Sequence, residues 1–502
     1  MSIPKAVASA VKTPGFYLLI NLLGSPANPG SAALRALIIA PKSTAGNITP
    51  NTERRRCFGP VDAAIAVGAG TQGHLAAKRL FQHFGLASVD IVSPPASAGV
   101  VATGTQTFTG PATENTVIRL RQAGRIIDVS WLNGETATQF CVRAAAAVNE
   151  RSEDLPSTCA PSTGSLVHTA KVAGLWGNDI TLNAAIFSGG AGVAVTVNPA
   201  NFTGGTLEPT IAVALTLVST TEYGRIVACL SNADAADTGS TSNGELLANH
   251  INSFESGAEA LLQVGVIANT GTIANAKAGA IDRNNEAVEY PLGRSWDDLP
   301  CEIAGAEAGD ALKAIALRPN FNRIGNVLTL YGPRDVVTNK LTQNEKEDLL
   351  ANGVTPLDVD SHTGVTYLVR PITTHSVFLG APDYRALDLS DTDGMYAVFR
   401  DLRVVVPQQF PNCSISPDLP AGADPLPPGV VEVKDVRAFV ISRLRFWARQ
   451  GVVNKLRLDQ SIDNGELVVE IDETDESQVN IFVPAKILRP LAKFSVVGSK
   501  VA

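Results

Sequence analysis

The run Gly68-Ala69-Gly70-Thr71-Gln72-Gly73 has the GxGxxG spacing that, between a strand and a helix, lets a pyrophosphate approach free backbone N–H groups. Asp90 stands downstream where a dinucleotide site keeps a carboxylate for the ribose. Three features oppose that chemistry. Asp90 lies inside a strand, between Val89 and Ile91. The segment Ala63–Val67, which has to be the first strand, is short and alanine-rich. The residues that follow, up to 209, lack the strand–helix alternation of a doubly wound sheet. The run therefore reads as a glycine turn capping a surface helix, with Gly68, Gly70 and Gly73 as the residues of the alternative, a nucleotide-binding oxidoreductase.

Asp391-Thr392-Asp393-Gly394 resembles part of a calcium loop, but Leu389 and Arg400 stand where the first and last carboxylates belong. Helix capping by Ser390 or Asp391 is the simpler account. The six histidines (His74, His83, His168, His250, His362, His375) form no HxH or HExxH. His375 beside Thr373 and Thr374 lacks a GxSxG nucleophile, and no GxxxxGK[ST] is present. The sequence thus assigns no catalytic, cofactor-binding or metal-ligating residue, and the chain is read as no enzyme.

The elements that would position any site come next. With 502 residues, 45% hydrophobic and 18% charged, the chain has enough apolar material for several cores. A net charge of −8 argues against a nucleic-acid partner. The six cysteines (Cys57, Cys141, Cys159, Cys229, Cys301, Cys413) are scattered without a CxxC pair, as for buried thiols in a reducing cytoplasm. The longest apolar runs, such as Ile211–Val218, are too short to span a membrane, and residues 1–13 lack the apolar core of a signal peptide.

Residues 1–33 read as an arm. Gly15–Leu23 is an apolar strand isolated by Pro14 and by the linker 24–30, and two readings stay open: an edge strand of its own domain, or a strand given to a neighbouring chain. Residues 34–93 read as the first part of an α/β core, with strands at Leu34–Ala40 and Ser88–Val92 and a helix at Gly73–Phe84. Residues 94–209 read as a β-rich insertion, with strands at 106–108, 116–120, 126–131 and 180–187 and a helix at 136–149. Residues 210–418 resume the core, with strands at 225–230, 261–267, 314–317 and 327–331 and a helix at 244–254. In the same part 351–406 gives a strand at Val365–Arg370 and a helix from about Asp391. A proline-rich bridge at 419–428 leads to a helix near Val431–Gln450, whose apolar face holds Val433, Val436, Val440, Leu444 and Trp447. Lys434, Arg445 and Arg449 cluster on its side. The stretch 419–465 is read as a linker and helix region. The tail 466–502 is strand-rich, carries the acidic run Asp472-Glu473-Thr474-Asp475-Glu476, and lacks a core of its own.

Four stretches, in order, resemble the tail sheath proteins of contractile-tailed bacteriophages, most closely the Mu-type branch. They are Gly68–Phe84; Val117–Asn149 with Lys171–Asn178; Gly204–Pro209; and Asn352-Gly353-Val354 through Arg370-Pro371-Ile372-Thr373-Thr374. The resemblance implies a core of subtilisin-like topology, carrying no Ser/His/Asp set, with an inserted domain and extended N- and C-terminal arms. It also implies strand exchange between subunits through Phe16, Leu18, Ile20 and Leu22 of the first arm and Val479, Ile481 and Val483 of the last. The implied partners are further copies in stacked hexameric rings, the tail tube protein, and baseplate and tail terminator proteins, with no cofactor, membrane or nucleic acid. The place implied is the tail of a virion assembled in the host cytoplasm. Lys434, Arg445 and Arg449 are expected to face an acidic patch of the tube, the insertion to lie at the outer surface, and Val365–Arg370 to belong to the sheet that receives the arms. The sheath of a phage-tail-like bacteriocin or secretion apparatus is the nearest alternative, and a subtilisin-like hydrolase a distant one.

Overall fold

The computed structural model describes residues 34–197, 200–255, 261–420, 424, 426–471, 479–484 and 486–489. At its centre lies a six-stranded sheet in the order Val288–Glu289, Gly265–Val266, Arg225–Ala228, Arg35–Ile39, Ser88–Val92, Arg54–Cys57. The first five strands are parallel and the last is antiparallel. Residues Ala36–Ile39 are at most 1% exposed, as a parallel strand covered on both faces requires. The expected strands at 34–40 and 88–92 and the helix at 73–84, here Gln72–His83, are present. The strand Arg54–Cys57 was not anticipated. Its sequence RRRC has no apolar alternation, which an edge strand does not need.

Ala63–Val67, which the rejected dinucleotide reading needs as a strand, belongs to the helix Pro60–Val67, with proline in its first turn and Asp62 beside it. One sequence assignment is corrected. The expected strand at 314–317 is the last turn of an 18-residue helix, Pro300–Leu317. Every residue of that helix from Pro300 to Leu312 is buried. A helix covered on all sides has no polar face, and so shows no amphipathic period in the sequence. Gly305 and Gly309 let it lie directly on the helix Gln72–His83: a Cβ on Gly305 would strike the carbonyl oxygen of Ala76, and one on Gly309 would come within 2.6 Å of that of Leu80.

The insertion enters the crossover between Ser88–Val92 and Arg225–Ala228, which flank Arg35–Ile39. Among the described residues it forms a four-stranded and a three-stranded antiparallel sheet with the helix Ala137–Glu150. Thr136 and Gln139 close a capping box at the start of that helix. Strands Ser157–Ser162, Ser165–Ala170 and Ala194–Val197 escaped the sequence reading because they are short and rich in serine, threonine and alanine. Phe108, Trp131 and Phe140 form the heart of its core, the last two stacked at 4.5 Å between ring centroids. Its base is not separate: Ala102, Trp176, Ile180 and Phe202 join the cluster that packs under the main sheet.

Buried charge ties these parts together. Glu302 on the central helix accepts both guanidinium nitrogens of Arg125 from the insertion, at 2.7 and 2.8 Å, and Nε of Arg79 at 3.0 Å. The Tyr331 ring lies against both cations, at 4.7 and 5.1 Å. Burial pushes the Glu302 carboxyl up, but Arg125 and Arg79 outweigh it and hold the group below its ordinary value. Further along the helix, Glu307 and Asp310 face Arg323.

A second four-stranded sheet runs Pro291–Leu292, Thr355–Val359, Thr366–Leu368, Val327–Leu328. The expected strand 365–370 is its third strand, shortened to Thr366–Leu368 and paired on both sides. It therefore offers no free edge to an arm. The helix expected from about Asp391 spans Leu389–Gln409. Its N-cap is Asp388, whose carboxylate is taken by Arg370 at 2.7 and 2.9 Å, so neither Ser390 nor Asp391 caps it as expected. The tail was read as lacking a core of its own, and its described residues pack on a core that other elements build. Val398 and Leu402 of this helix pack with Val436, Val440, Leu444 and Trp447 of the helix Val433–Arg449 and with Leu467 and Val469. These contributors are scattered along the chain, which hid the core from a reading of the tail alone.

Replacing Glu302 by Gln leaves the buried guanidinium of Arg125 without its carboxylate and Arg79 with only Asp298, 3.4 Å away. Urea denaturation is expected to show a loss of roughly 3–5 kcal/mol.

Candidate assembly surface

The groups that looked suited to chemistry are engaged in holding the fold. The glycine turn lies between two helices rather than after a strand. Gly70 has φ +76° and is roofed by the insertion, where the Leu155 carbonyl occupies the space a pyrophosphate would need. Lys171 donates to the Ala69 carbonyl at 2.8 Å, and the Gly70 N–H donates to His74 Nδ1 at 2.9 Å. Burial lowers His74, His83, His168 and His250 to about 4, so they stay neutral at ordinary pH. His375 pairs with Asp383 at 3.0 Å. Asp393 holds Arg225 through two bonds of 2.9 and 2.7 Å. Asp90 sits beneath three arginines. Five cysteines are buried and Cys413 is half-buried. Among the described residues no group of three or more His, Cys, Asp or Glu side chains is placed to hold a metal ion. Among the same residues no helix is long and apolar enough to cross a membrane.

A polar cleft of about 380 Å³ opens beyond the carboxyl ends of the parallel strands, lined by Asp179, Asn232, Thr270 and Arg334. Its polar groups are mutually engaged. Asn232 bonds Asp179 and Thr270, and Arg334 pairs with Asp297 at 3.1 Å.

The structure brings three of the four family-like stretches to one junction. The glycine turn meets Lys171 of the second stretch. Asn178 of the same stretch accepts from the Gly205 N–H at 2.9 Å and donates to the Gly205 carbonyl at 3.0 Å. Gly205 belongs to the third stretch, whose half-buried Glu208 lies beside Asp179 and Asp234. The fourth stretch closes on itself, since Thr355 accepts from the Ile372 N–H at 2.9 Å and donates to its carbonyl at 3.2 Å. These residues bind the insertion and the second sheet to the core.

The remaining expected residues lie on the surface or outside the described residues. Phe16, Leu18, Ile20 and Leu22 fall outside them. Val479 and Ile481 lie in the strand Val479–Phe482, which pairs antiparallel with Val468–Ile471 in a two-stranded ribbon, and Val483 follows it. The sequence reading had left this segment without a partner. Its partner is local, and the three side chains rest half-buried on the tail core. Each strand of the ribbon has one edge that pairs with no other strand among the described residues. Lys434, Arg445 and Arg449 are all exposed on the helix Val433–Arg449. Lys434 pairs with Glu432 at 2.5 Å, and Arg445 lies 3.6 Å from Asp459. Arg445 and Arg449 line a groove of about 560 Å³ against the helix Lys455–Asp463, with Ile441 on its floor and Lys455 opposite. The sequence missed Lys455 because the helix that carries it is short and mostly polar.

The junction titrates. Burial, then Asp234 and Asp179, raises Glu208 from 4.5 to about 8, and burial raises Asp179 from 3.8 to about 7. The unfolded chain loses both protons in the ordinary carboxylate range, whereas the folded chain keeps them. Stability therefore falls as pH rises through this window and levels off once both folded values are passed. In Glu208→Gln, the decline in urea midpoint is expected to stop near 7, where Asp179 finishes, instead of continuing to about 8.

No protein-family model and no curated protein matches the chain. Among solved structures it is similar to a sheath tail protein from Listeria innocua, at 13% identity and TM-score 0.42, covering 84% of this chain and 88% of that one. It is similar to a sheath tail protein from Desulfitobacterium hafniense at 12% identity and TM-score 0.47, covering 92% and 97%. A third similar chain, at 12% identity and TM-score 0.45 with all of both chains covered, comes from a cryo-EM structure of the anti-feeding prophage baseplate.

Proposed function

We propose that the chain is a structural subunit of a contractile phage tail sheath. It polymerises as stacked hexameric rings around a tail tube and contracts to drive that tube through the host envelope for genome delivery. The observation that carries this reading is the C-terminal ribbon, a two-stranded sheet in which each strand has one edge that pairs with no other strand among the described residues, in a chain whose sequence reads as an isolated apolar strand at Gly15–Leu23. A ribbon of this kind is an acceptor for strand addition, and Gly15–Leu23 of a neighbour is a suitable donor. Each shared backbone hydrogen bond contributes about 0.5–1.5 kcal/mol, so a short shared strand keeps subunits linked while their other contacts change. Contraction is then a rigid-body shift between two packings, with its energy in the difference between interfaces. Engagement of the glycine turn, the histidines and Asp391–Gly394 in the fold supports a structural rather than an enzymatic role.

On this reading Lys434, Arg445 and Arg449 face an acidic patch of the tube protein, and the insertion lies outermost. Deleting 94–209 entire would also strip Arg125, Trp176 and Phe202 from the main core, so the outer placement is better tested by altering exposed residues of the insertion. Negative-stain microscopy of the purified protein is expected to show tubes or rings. Uniform small particles that bind a dinucleotide would overturn the reading. Reversing the charge of Lys434, Arg445 and Arg449 together is expected to stop extended sheath forming on tubes, and unchanged assembly would remove these residues from the tube interface.

A further inference from the structure

The central helix carries a second buried acidic group, which neither the ionic tie at Glu302 nor the junction at Glu208 uses. Glu289 ends the edge strand of the main sheet, and Pro291–Leu292, two residues on, already belongs to the second sheet. The segment between them is a joint. The Ile267 N–H donates to the Glu289 carbonyl at 3.1 Å, the Thr374 N–H to that of Val288 at 2.8 Å, and the Thr355 N–H to that of Tyr290 at 3.0 Å. Glu307 of the central helix meets the Glu289 side chain there, and both residues are 0% exposed. Glu307 Oε1 is taken by Arg323. Glu289 Oε1 lies 3.3 Å from the Thr355 hydroxyl, whose proton goes to the Ile372 carbonyl at 3.2 Å. The remaining oxygens, Oε2 of each glutamate, are buried and have no hydrogen-bond donor among the described residues, yet the two carboxyl groups lie within hydrogen-bond reach of one another. Two carboxyl groups bond to each other only if one of them carries a proton.

The charged groups around the pair do not remove the need for that proton. Arg323 meets Glu307 closely but stays 3.6 Å from Glu289 and 3.6 Å from Asp310, whose carboxylate is held by Asn326 at 3.0 and 3.1 Å. Arg225, from the main sheet, is committed to Asp393 of the helix Leu389–Gln409. His83, from the helix Gln72–His83, stays neutral at ordinary pH, and Lys313, three residues beyond Asp310, is exposed. Burial, then Glu307, pushes the Glu289 carboxyl well above its ordinary value. Burial pushes Glu307 up as well, but Arg323 outweighs it and holds that group below its ordinary value. We propose that Glu289 and Glu307 form an acid–carboxylate pair that binds one structural proton, Glu289 serving as the acid and Glu307 as the carboxylate, and that this proton clasps the joint between the two sheets to the central helix. With no proton, two like charges would touch in a desolvated site. With two, Arg323 would lose its close counter-ion. A single proton meets both requirements, and it belongs to the pair rather than to either side chain alone. The clasp holds whether or not the chain assembles as a sheath.

The test is infrared spectroscopy of the full-length chain with isotope-labelled glutamate side chains, which separates protonated glutamic from protonated aspartic carboxyl groups. Glu208 also keeps its proton to about 8, so the measurement is made in Glu208→Gln. In that chain the carbonyl band of a protonated glutamic acid is expected at neutral pH, and it is expected to persist as the pH is raised well past the ordinary carboxylate range. Loss of the band within that range would overturn the proposal with the pair itself unaltered. Adding E289Q or E307Q is expected to remove the band, and a band that survives both would place the proton on another glutamate. Stability at a single pH separates the two roles. In E289Q the side-chain amide donates to Glu307 in place of the shared proton, and the unfolding equilibrium constant from urea denaturation is expected to stay within about threefold of wild type. In E307Q the charge moves to Glu289, which meets Arg323 only at 3.6 Å. There the constant is expected to rise by about tenfold or more, and the amide hydrogens of Ile267, Thr355 and Thr374 to exchange faster than in E289Q. Equal losses in the two variants, with exchange at the joint unchanged, would overturn the clasp.

Discussion

The carboxylate of Glu302 is the point on which the rest of the structure depends. It sits on a helix buried on every side and bonds one arginine from the neighbouring helix and another from the insertion. A buried carboxylate flanked by two cations is stable only while all three keep their geometry, because any one left alone would be charged and desolvated. The ionic group therefore sets the register between central helix, first helix pair and insertion, while apolar packing supplies most of the stabilisation. Gly305 and Gly309 make this geometry reachable by removing the side chains that would hold the two helices apart.

From that centre the junction of the insertion follows. The glycine turn, the segment Lys171–Asn178 and Gly205 lie apart in the chain and close around one seam, where the half-buried Glu208 and Asp179 keep their protons to unusually high pH. The insertion is thus held by a shared apolar base, an ionic group and a titrating seam. The tail is built differently. Its core joins one long helix to the next helix and to a ribbon, whose outer edges pair with no other strand among the described residues.

The segments legible in sequence were those with one buried and one exposed face, or those covered completely within a short run. Ser88–Val92, Arg225–Ala228 and the helices near 72–83, 137–150 and 433–449 belong here. So does the apolar face Val436, Val440, Leu444 and Trp447, which is buried as the 3.6-residue period requires. Pro300–Leu317 was not legible, because a helix wrapped by other elements carries no polar stripe and its glycines imitate turns. Pro60–Val67 was assigned no element in the sequence, because its short alanine-rich run shows neither period clearly.

By itself the sequence determined the mixed α/β class, the β-rich insertion within it, and the exposed cations Lys434, Arg445 and Arg449, because periodicity and composition are local properties of the chain. Only the tertiary structure decided that Gly70 lies under a roof rather than open to phosphate, and that Thr366–Leu368 is closed on both sides. It also decided that 479–482 has a partner in Val468–Ile471, and that Arg79, Arg125 and Glu302 belong together. Each of these is a meeting of residues distant in the chain or hidden by a loop, and no local period encodes which groups will share one desolvated site.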